Sequence, residues 1–335
     1  MPNVPAEVSV IIVTHNSARY LGDCLATLRA QGMGVRLIVV DNASRPAERP
    51  ACSDCDEVEV ILNTVNRGFA PAVNQGLKRV CTPYVLLLNP DVCLMPDALV
   101  RLRAFLAATP QAAAVSPRFW WDTARTALLP LTVVPTLTRL VARVMAARSR
   151  VVRAVLDRWQ IHQARRWWFA QGAVEVPAIS AACVLIPTRV LERVGRLDPQ
   201  FPFYYEEVEW SLRARRCRYR LYTLPTAEAV HSFGHSARKG SQRVKRWAAV
   251  SGRRYWRMRY GQLGARLAAA LSAQPVKTVL APTYDLGVIA EPPSLMWSTV
   301  AHPQVLEVAF DPLFESTAAI FPAGNEFRWP AALWS

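Results

Sequence analysis

Three early stretches of the chain are apolar almost without interruption and then stop on short polar side chains: VSVIIVTHNS (8–17), VRLIVVDNAS (35–44) and VLLLNPD (85–91). A strand buried on both faces reads this way, whereas one open to water on one face alternates. The pattern predicts strands at 8–13, 35–40, 58–62 and 84–88, with helical periodicity at 18–30 and 70–80 between them. Strands separated by crossover helices imply an α/β fold with a doubly wound, mostly parallel sheet flanked by helices. In open sheets of this kind the ligand lies outside the carboxyl ends of the strands. That edge receives Thr14, Asn16, Asp41, Asn89 and Asp91, a set suited to a nucleotide, with Asp91 placed to meet a metal or a polar ligand.

Residues 137–159 predict an element of another kind. At 100° per residue, Leu137, Leu140, Val141, Val144, Met145, Val151, Val152, Val155, Leu156 and Trp159 share one side, and Arg139, Arg143, Arg150 and Arg153 lie opposite. QARRWWF (163–169) adds two Arg and an aromatic cluster. Two readings stand: a helix packed on the domain with its Arg face in water, or an interfacial helix on an anionic membrane with Trp167, Trp168 and Phe169 at headgroup level. Arg148, on the apolar side, limits the depth of any insertion. A second basic and aromatic stretch, 243–261, predicts a helix and has the composition of a single-stranded nucleic-acid binder. After an Ala-rich helix at 265–273, the Pro-rich, weakly charged segment 274–335 carries the extended runs VLEVAF (305–310) and TAAIF (317–321), the beginning of a small β unit.

With 335 residues, 52% of them hydrophobic and 19% charged, the chain has the length for one large or two moderate domains and is not a disordered protein. No run of 18 apolar residues and no charged-then-apolar leader is present, so a cytoplasmic protein is expected. The seven cysteines, an odd number lying largely within predicted elements, are expected to be reduced. Cys52 and Cys55 have the spacing of half a zinc site without a second half. The formal charge of +15 favours polyanionic partners: nucleic acid, anionic lipid or phosphorylated substrates.

Five motifs then occur in order: TxN (14–16), VVDNAS (39–44), NxGFAxAxNxGL (66–77), LLLNPD (86–91) and YYEEVEW (204–210). Together they resemble the family 2 glycosyltransferases over residues 8–261, most of all the rhamnosyltransferase-like branch that builds bacterial surface polysaccharides. The resemblance implies a GT-A-type domain over 1–264, with 119–170 as a basic helical insertion and 240–264 as a basic helical tail; it leaves 265–335 as an extension of unassigned role. Because 243–261 matches that tail, nucleic acid is disfavoured. The implied reaction is inverting transfer of a sugar, best read as rhamnose from dTDP-rhamnose. The acceptor would be a saccharide or a lipid-diphosphate-linked molecule in cell-surface polysaccharide synthesis, met by an enzyme peripheral on the inner face of the plasma membrane.

By the same resemblance, Asp41 reads the base, Thr14 and Asn16 line the base and ribose pocket, and Asn89 orients sugar or ribose. Arg67 and Gly68 open the helix carrying Asn74 towards the donor phosphates. Asp91 and His231 hold Mg2+ or Mn2+, with His235 a close competitor of His231. Glu207 is the catalytic base, and Glu206 and Glu209 are the solvated members of that acidic cluster. Small side chains at Ser180, Ala181 and Ala182 leave room for an acceptor sugar. The family normally has Asp where Glu207 stands; one methylene moves a carboxylate by roughly an ångström, and such a shift costs on the order of a hundredfold in rate. Two alternatives follow: the same fold with another UDP-, dTDP- or GDP-sugar donor, and a catalytically weakened, membrane-associated binding or assembly homologue.

Overall fold

The computed structural model describes residues 6–50, 58–231, 242–273, 294–296, 305–309, 317–322 and 326–329. Cys52, Cys55 and His235 lie outside the described residues. In chain order the elements are β1 (Val8–Thr14), α1 (Ala18–Arg29), β2 (Val35–Asp41), β3 (Val58–Leu62), α2 (Phe69–Leu77), β4 (Tyr84–Leu88), β5 (Val92–Leu94), α3 (Ala98–Ala108), β6 (Ala112–Trp120) and β7 (Ala127–Leu128). They continue with α4 (Leu137–Ala146), α5 (Arg150–Trp168), β8 (Val174–Glu175), β9 (Cys183–Pro187), α6 (Thr188–Val194), α7 (Glu206–Arg216), β10 (Arg220–His231), α8 (Gln242–Ser272), β11 (Ser294–Met296), β12 (Leu306–Ala309), β13 (Thr317–Ile320) and β14 (Glu326–Arg328). The chain falls into two compact units: 1–118 with 131–134 and 171–265, and 119–130 with 135–170 and 266–335.

In the first unit β3, β2, β1 and β4 pair in parallel, in that order. The apolar runs of β1, β2 and β4 are buried on both faces, while the edge strand β3 leaves Val60 and Leu62 exposed: Val10, Ile12, Ile38, Val40 and Leu86 are among the fully buried side chains, each worth about 1.5–3 kcal/mol of transfer from water. Helix α2 lies close on this sheet, since a Cβ added at Gly76 would come within 2.7 Å of the Ile11 side chain. Beyond β4 the sheet turns antiparallel, with β9 on β4 and β6 on β9, so the fold is a mixed sheet whose parallel half carries the strand tips read from sequence. β10 pairs antiparallel with both β5 and β8.

In the second unit β7 pairs with the end of β6 and with β13, and β13 with β12, all antiparallel. The runs VLEVAF and TAAIF are thus β12 and β13, and Ala127, Leu128, Ala318, Ala319 and Ile320 are buried. The helix expected over 137–159 is two helices. Thr136 Oγ1 accepts the Arg139 N–H at the start of α4, and Ser149 Oγ accepts the Val152 N–H at the start of α5. The break resets the helical phase and inverts the expected faces. Arg153, placed on the wet side by periodicity, keeps 14% of its side chain exposed and pairs with Asp157, while Val151 is 75% exposed. Trp167 and Trp168, placed at headgroup level by the interfacial one of the two readings, are buried. No described helix is long and apolar enough to cross a membrane.

Candidate active site

β1 and β2 end level with each other, Thr14 beside Asp41. Both are buried, and Thr14 Oγ1 and Asp41 Oδ1 have no hydrogen-bond partner. The other carboxylate oxygen of Asp41 accepts the Ser44 N–H at 3.2 Å. The chain leaves each strand through a left-handed residue, Asn16 (φ 54°) and Ala43 (φ 65°). The two turns are laced together: the Asn16 N–H donates to Ser44 Oγ at 2.8 Å, and Asn16 Oδ1 accepts the Arg45 N–H at 2.9 Å. A buried acceptor left without a donor costs about 1–3 kcal/mol. A ligand N–H entering here would remove that cost at Asp41.

Asn42 organises the next loop, a role the sequence reading passed over. Its amide donates to Asn66 Oδ1 and to the Gly68 carbonyl, and its Oδ1 accepts from Asn63 Nδ2 and from the Arg67 N–H. The signal was present as asparagines closing β2 and β3 with a third beside Gly68. Gly68 has φ 92°, and an added Cβ would stand 2.5 Å from the Pro202 carbonyl oxygen. The first N–H of α2, from Phe69, donates to that same oxygen at 2.7 Å. Arg67 is exposed. Asn74 gives its amide to the Leu197 carbonyl at 2.8 Å and keeps a buried Oδ1 without a partner, which places it on the 195–198 turn.

The β5–β10 ladder pairs Val92 with His231 and so brings His231 to Asp91, with Nε2 and Oδ1 3.5 Å apart. Asn89 is fixed through its backbone: its N–H donates to the Ala182 carbonyl at 2.7 Å and its carbonyl accepts the Val92 N–H. No group of three or more His, Cys, Asp or Glu side chains gathers as a ligand set among the described residues, so the pair would depend on ligand oxygens to complete a metal shell.

Glu206 and Glu207 open α7. Just before them Tyr204 and Tyr205 both adopt left-handed backbone (φ 64° and 69°), an uncommon state for bulky residues. Ring packing holds them there, Tyr205 on Tyr255 at 5.0 Å and Phe203 on Tyr204 at 4.3 Å. Glu206 and Glu209, expected in water, are 5% and 4% exposed. The reason differs: Glu209 accepts from Nε and Nη2 of Arg213, whereas Glu206 lies buried beside Glu207. Burial pushes the Glu206 carboxyl well above the ordinary carboxylate range, and the neighbouring Glu207 charge adds to it. Burial raises Glu207 as well, but hydrogen bonds from its own backbone and from Glu206 work against the rise. Both carboxyls are therefore driven upwards by burial, and the pair favours holding a proton between them.

One short segment joins these parts. The Ala182 carbonyl holds the Asn89 N–H, while the Ile179 N–H donates to Ser211 Oγ, which donates to the Glu207 carbonyl at 2.6 Å. The small-residue stretch 179–182 thus spans from the tip of β4 to the helix bearing Glu207. Helix α8 braces the same surroundings: Arg254 pairs with Asp198 at 2.7 Å, and Arg243 donates to the Asn66 carbonyl at 2.6 Å.

Residues 9–143 match the family model described as Glycosyl transferase family 2. The low-salt glycan biosynthesis hexosyltransferase Agl10 of Haloferax volcanii is 25% identical to this chain over 68% of its length and 67% of the relative's. N-acetylglucosaminyl-diphospho-decaprenol L-rhamnosyltransferase of Mycobacterium tuberculosis is 22% identical over 68% of this chain and 76% of the relative. Among solved structures, GalNAc-T7 with UDP, GalNAc and Mn2+ overlays with a TM-score of 0.50 at 14% identity, covering 81% of this chain. The chain spans 55% of that protein, and the likeness is one of fold, the GT-A fold. Motif order, fold and relatives agree: residues 9–143 belong to glycosyl transferase family 2, and the chain is similar to a hexosyltransferase and a rhamnosyltransferase, enzymes that transfer sugars.

Proposed function

We propose that the protein transfers rhamnose from dTDP-rhamnose, with inversion, to a lipid-diphosphate-linked saccharide in cell-surface polysaccharide synthesis. The observation that carries the reading is the 179–182 bridge, whose backbone ties the Asn89–Asp91 tip to the helix bearing Glu207. The choice of rhamnose and of a lipid-linked acceptor rests on the resemblance and on the mycobacterial relative's name.

Asp41 Oδ1, buried without a donor, accepts the ring N–H of thymine, and Thr14 and Asn16 line the base and ribose side. Gly68 and Arg67 shape the phosphate side, Asn74 instead holds the 195–198 turn, and Asn89 orients the sugar. Asp91 and His231 fit a magnesium or manganese ion: an oxygen and an imidazole nitrogen 3.5 Å apart suit one hard divalent cation whose remaining ligands come from phosphate. Such an ion, when bound, neutralises the diphosphate leaving group. Glu207 takes the proton of the acceptor hydroxyl as its oxygen bonds to the anomeric carbon; the bond from that carbon to the diphosphate oxygen breaks, and dTDP leaves. Burial and mutual charge favour a proton on the Glu206–Glu207 pair, which leaves the other carboxylate of the pair to act as base.

Nucleotide release from a panel of dTDP-, UDP- and GDP-sugars, with magnesium or manganese and then with EDTA, tests the reading. Release from dTDP-rhamnose that stops on chelation is expected; release from a different sugar nucleotide reassigns the donor. A large gain in turnover on Glu207→Asp would instead mark the chain as a weakened homologue.

A further inference from the structure

The outer side of α5 is apolar where a solvated helix is polar. Val151, Val155 and Trp159 are 75%, 63% and 49% exposed and recur every four residues, forming one stripe. At 100° per residue Arg158, Arg165 and Arg166, all exposed, fall on the same side. Residues 137–169 hold eight arginines against a single acidic residue, Asp157, and Asp157, which falls off the stripe at 100° per residue, is paired with Arg153 at 2.8 Å. The exposed face is therefore apolar and cationic together, with no carboxylate of its own.

We propose that this face of α5 docks the protein on an anionic membrane surface, Val151, Val155 and Trp159 entering the headgroup boundary while Arg158, Arg165 and Arg166 meet lipid phosphates. An aromatic and aliphatic stripe beside arginines is the make-up of an interfacial helix, with Trp at the depth its amphipathic ring prefers. A second copy of the chain would set like charges against each other. Nucleic acid would leave the two valines without apolar contact. The proposal does not depend on the donor or on turnover, so its failure and that of the rhamnosyl reading are separable.

The test is co-sedimentation of the full chain with vesicles of phosphatidylcholine alone and of phosphatidylcholine mixed with phosphatidylglycerol. Binding to the mixed vesicles, weakened by salt, is expected. Each arginine near an anionic surface contributes about fivefold to partitioning, so a variant combining Arg158→Gln, Arg165→Gln and Arg166→Gln should lose roughly a hundredfold. A second variant, Val155→Ser with Trp159→Ser, should also lose binding, and because all five side chains are exposed both variants should melt where the parent does. Equal binding to both vesicle types, or binding unchanged in either variant, overturns the proposal. So does a dimer, seen by sedimentation velocity without vesicles, that Val155→Ser with Trp159→Ser dissolves. Oligonucleotide binding lost in the arginine variant while vesicle binding persists would overturn it equally.

Discussion

The strand tips of the first unit and helix α5 of the second are incomplete in opposite senses. At the tips, polar atoms sit where water cannot reach: Thr14 Oγ1 and Asp41 Oδ1 are buried without partners. On α5, apolar side chains sit where water can, Val151 and Val155 most of all. A missing hydrogen bond selects one ligand geometry, because a donor must arrive at a fixed atom along a narrow range of directions. A missing apolar contact selects a kind of surface, because hydrophobic burial has no direction. The first kind of incompleteness serves substrate recognition and the second serves docking.

The largest effect expected at the directional site is from Glu207→Gln, which removes the proposed base and should lower turnover by about 10²- to 10⁴-fold with the far-ultraviolet circular dichroism unchanged. Beneath it, the contrast between interior and surface can be read as stability. Leu86→Ala, in the fully buried centre of the parallel sheet, should cost about 2–5 kcal/mol in urea denaturation, whereas Trp159→Ser should stay within about 0.5 kcal/mol. If both changes cost the same, α5 is covered in solution. Asp41→Asn keeps the shape of the side chain and, with the amide oxygen on the Ser44 N–H, turns an NH2 donor towards the ligand in place of the free acceptor oxygen. Donor KM should rise about ten- to a hundredfold with kcat little changed, measured by steady-state nucleotide release.

The smallest effect concerns Glu206. Its folded pKa lies above the ordinary 4.5, so the protonated side chain's contribution to stability is fully present below pH 4.5 and is lost as pH rises through the raised value. Glu206→Gln, neutral at every pH, should flatten that dependence and be more stable than the parent at alkaline pH, as thermal melting across pH would show. Its amide can still donate to Glu207, so activity should survive. Glu206→Leu cannot donate, and the acid limb of its pH–rate profile should move upwards.

Much of the fold could be read ahead because the three inner parallel strands β1, β2 and β4 are buried on both faces, which writes itself as a nearly unbroken apolar run, and the polar residue ending each run had one edge to reach. The antiparallel partners β9 and β6 carry similar runs, and pairing direction leaves no such mark. The helical insertion misled for a definite reason. A projection at 100° per residue assumes one uninterrupted helix, and the three residues 147–149 between α4 and α5 break that assumption, although Ser149 is a good N-cap residue in plain view. Glu206 was misread for another reason: three carboxylates beside aromatics look solvated unless one side chain accounts for a second and a proton accounts for the third. Arg213 is the partner of Glu209, and four residues further along a helix is where it should be sought.

The contact of Gly68 with Pro202 carries a consequence for redesign. With 2.5 Å between a hypothetical Cβ and the proline carbonyl, and the Phe69 N–H seated on that carbonyl, loop 63–69 and loop 201–205 behave as one mechanical part. A graft that exchanged 63–69 alone to change donor preference would displace the tyrosines that set Glu207. The two loops have to be transplanted together, as a single cassette.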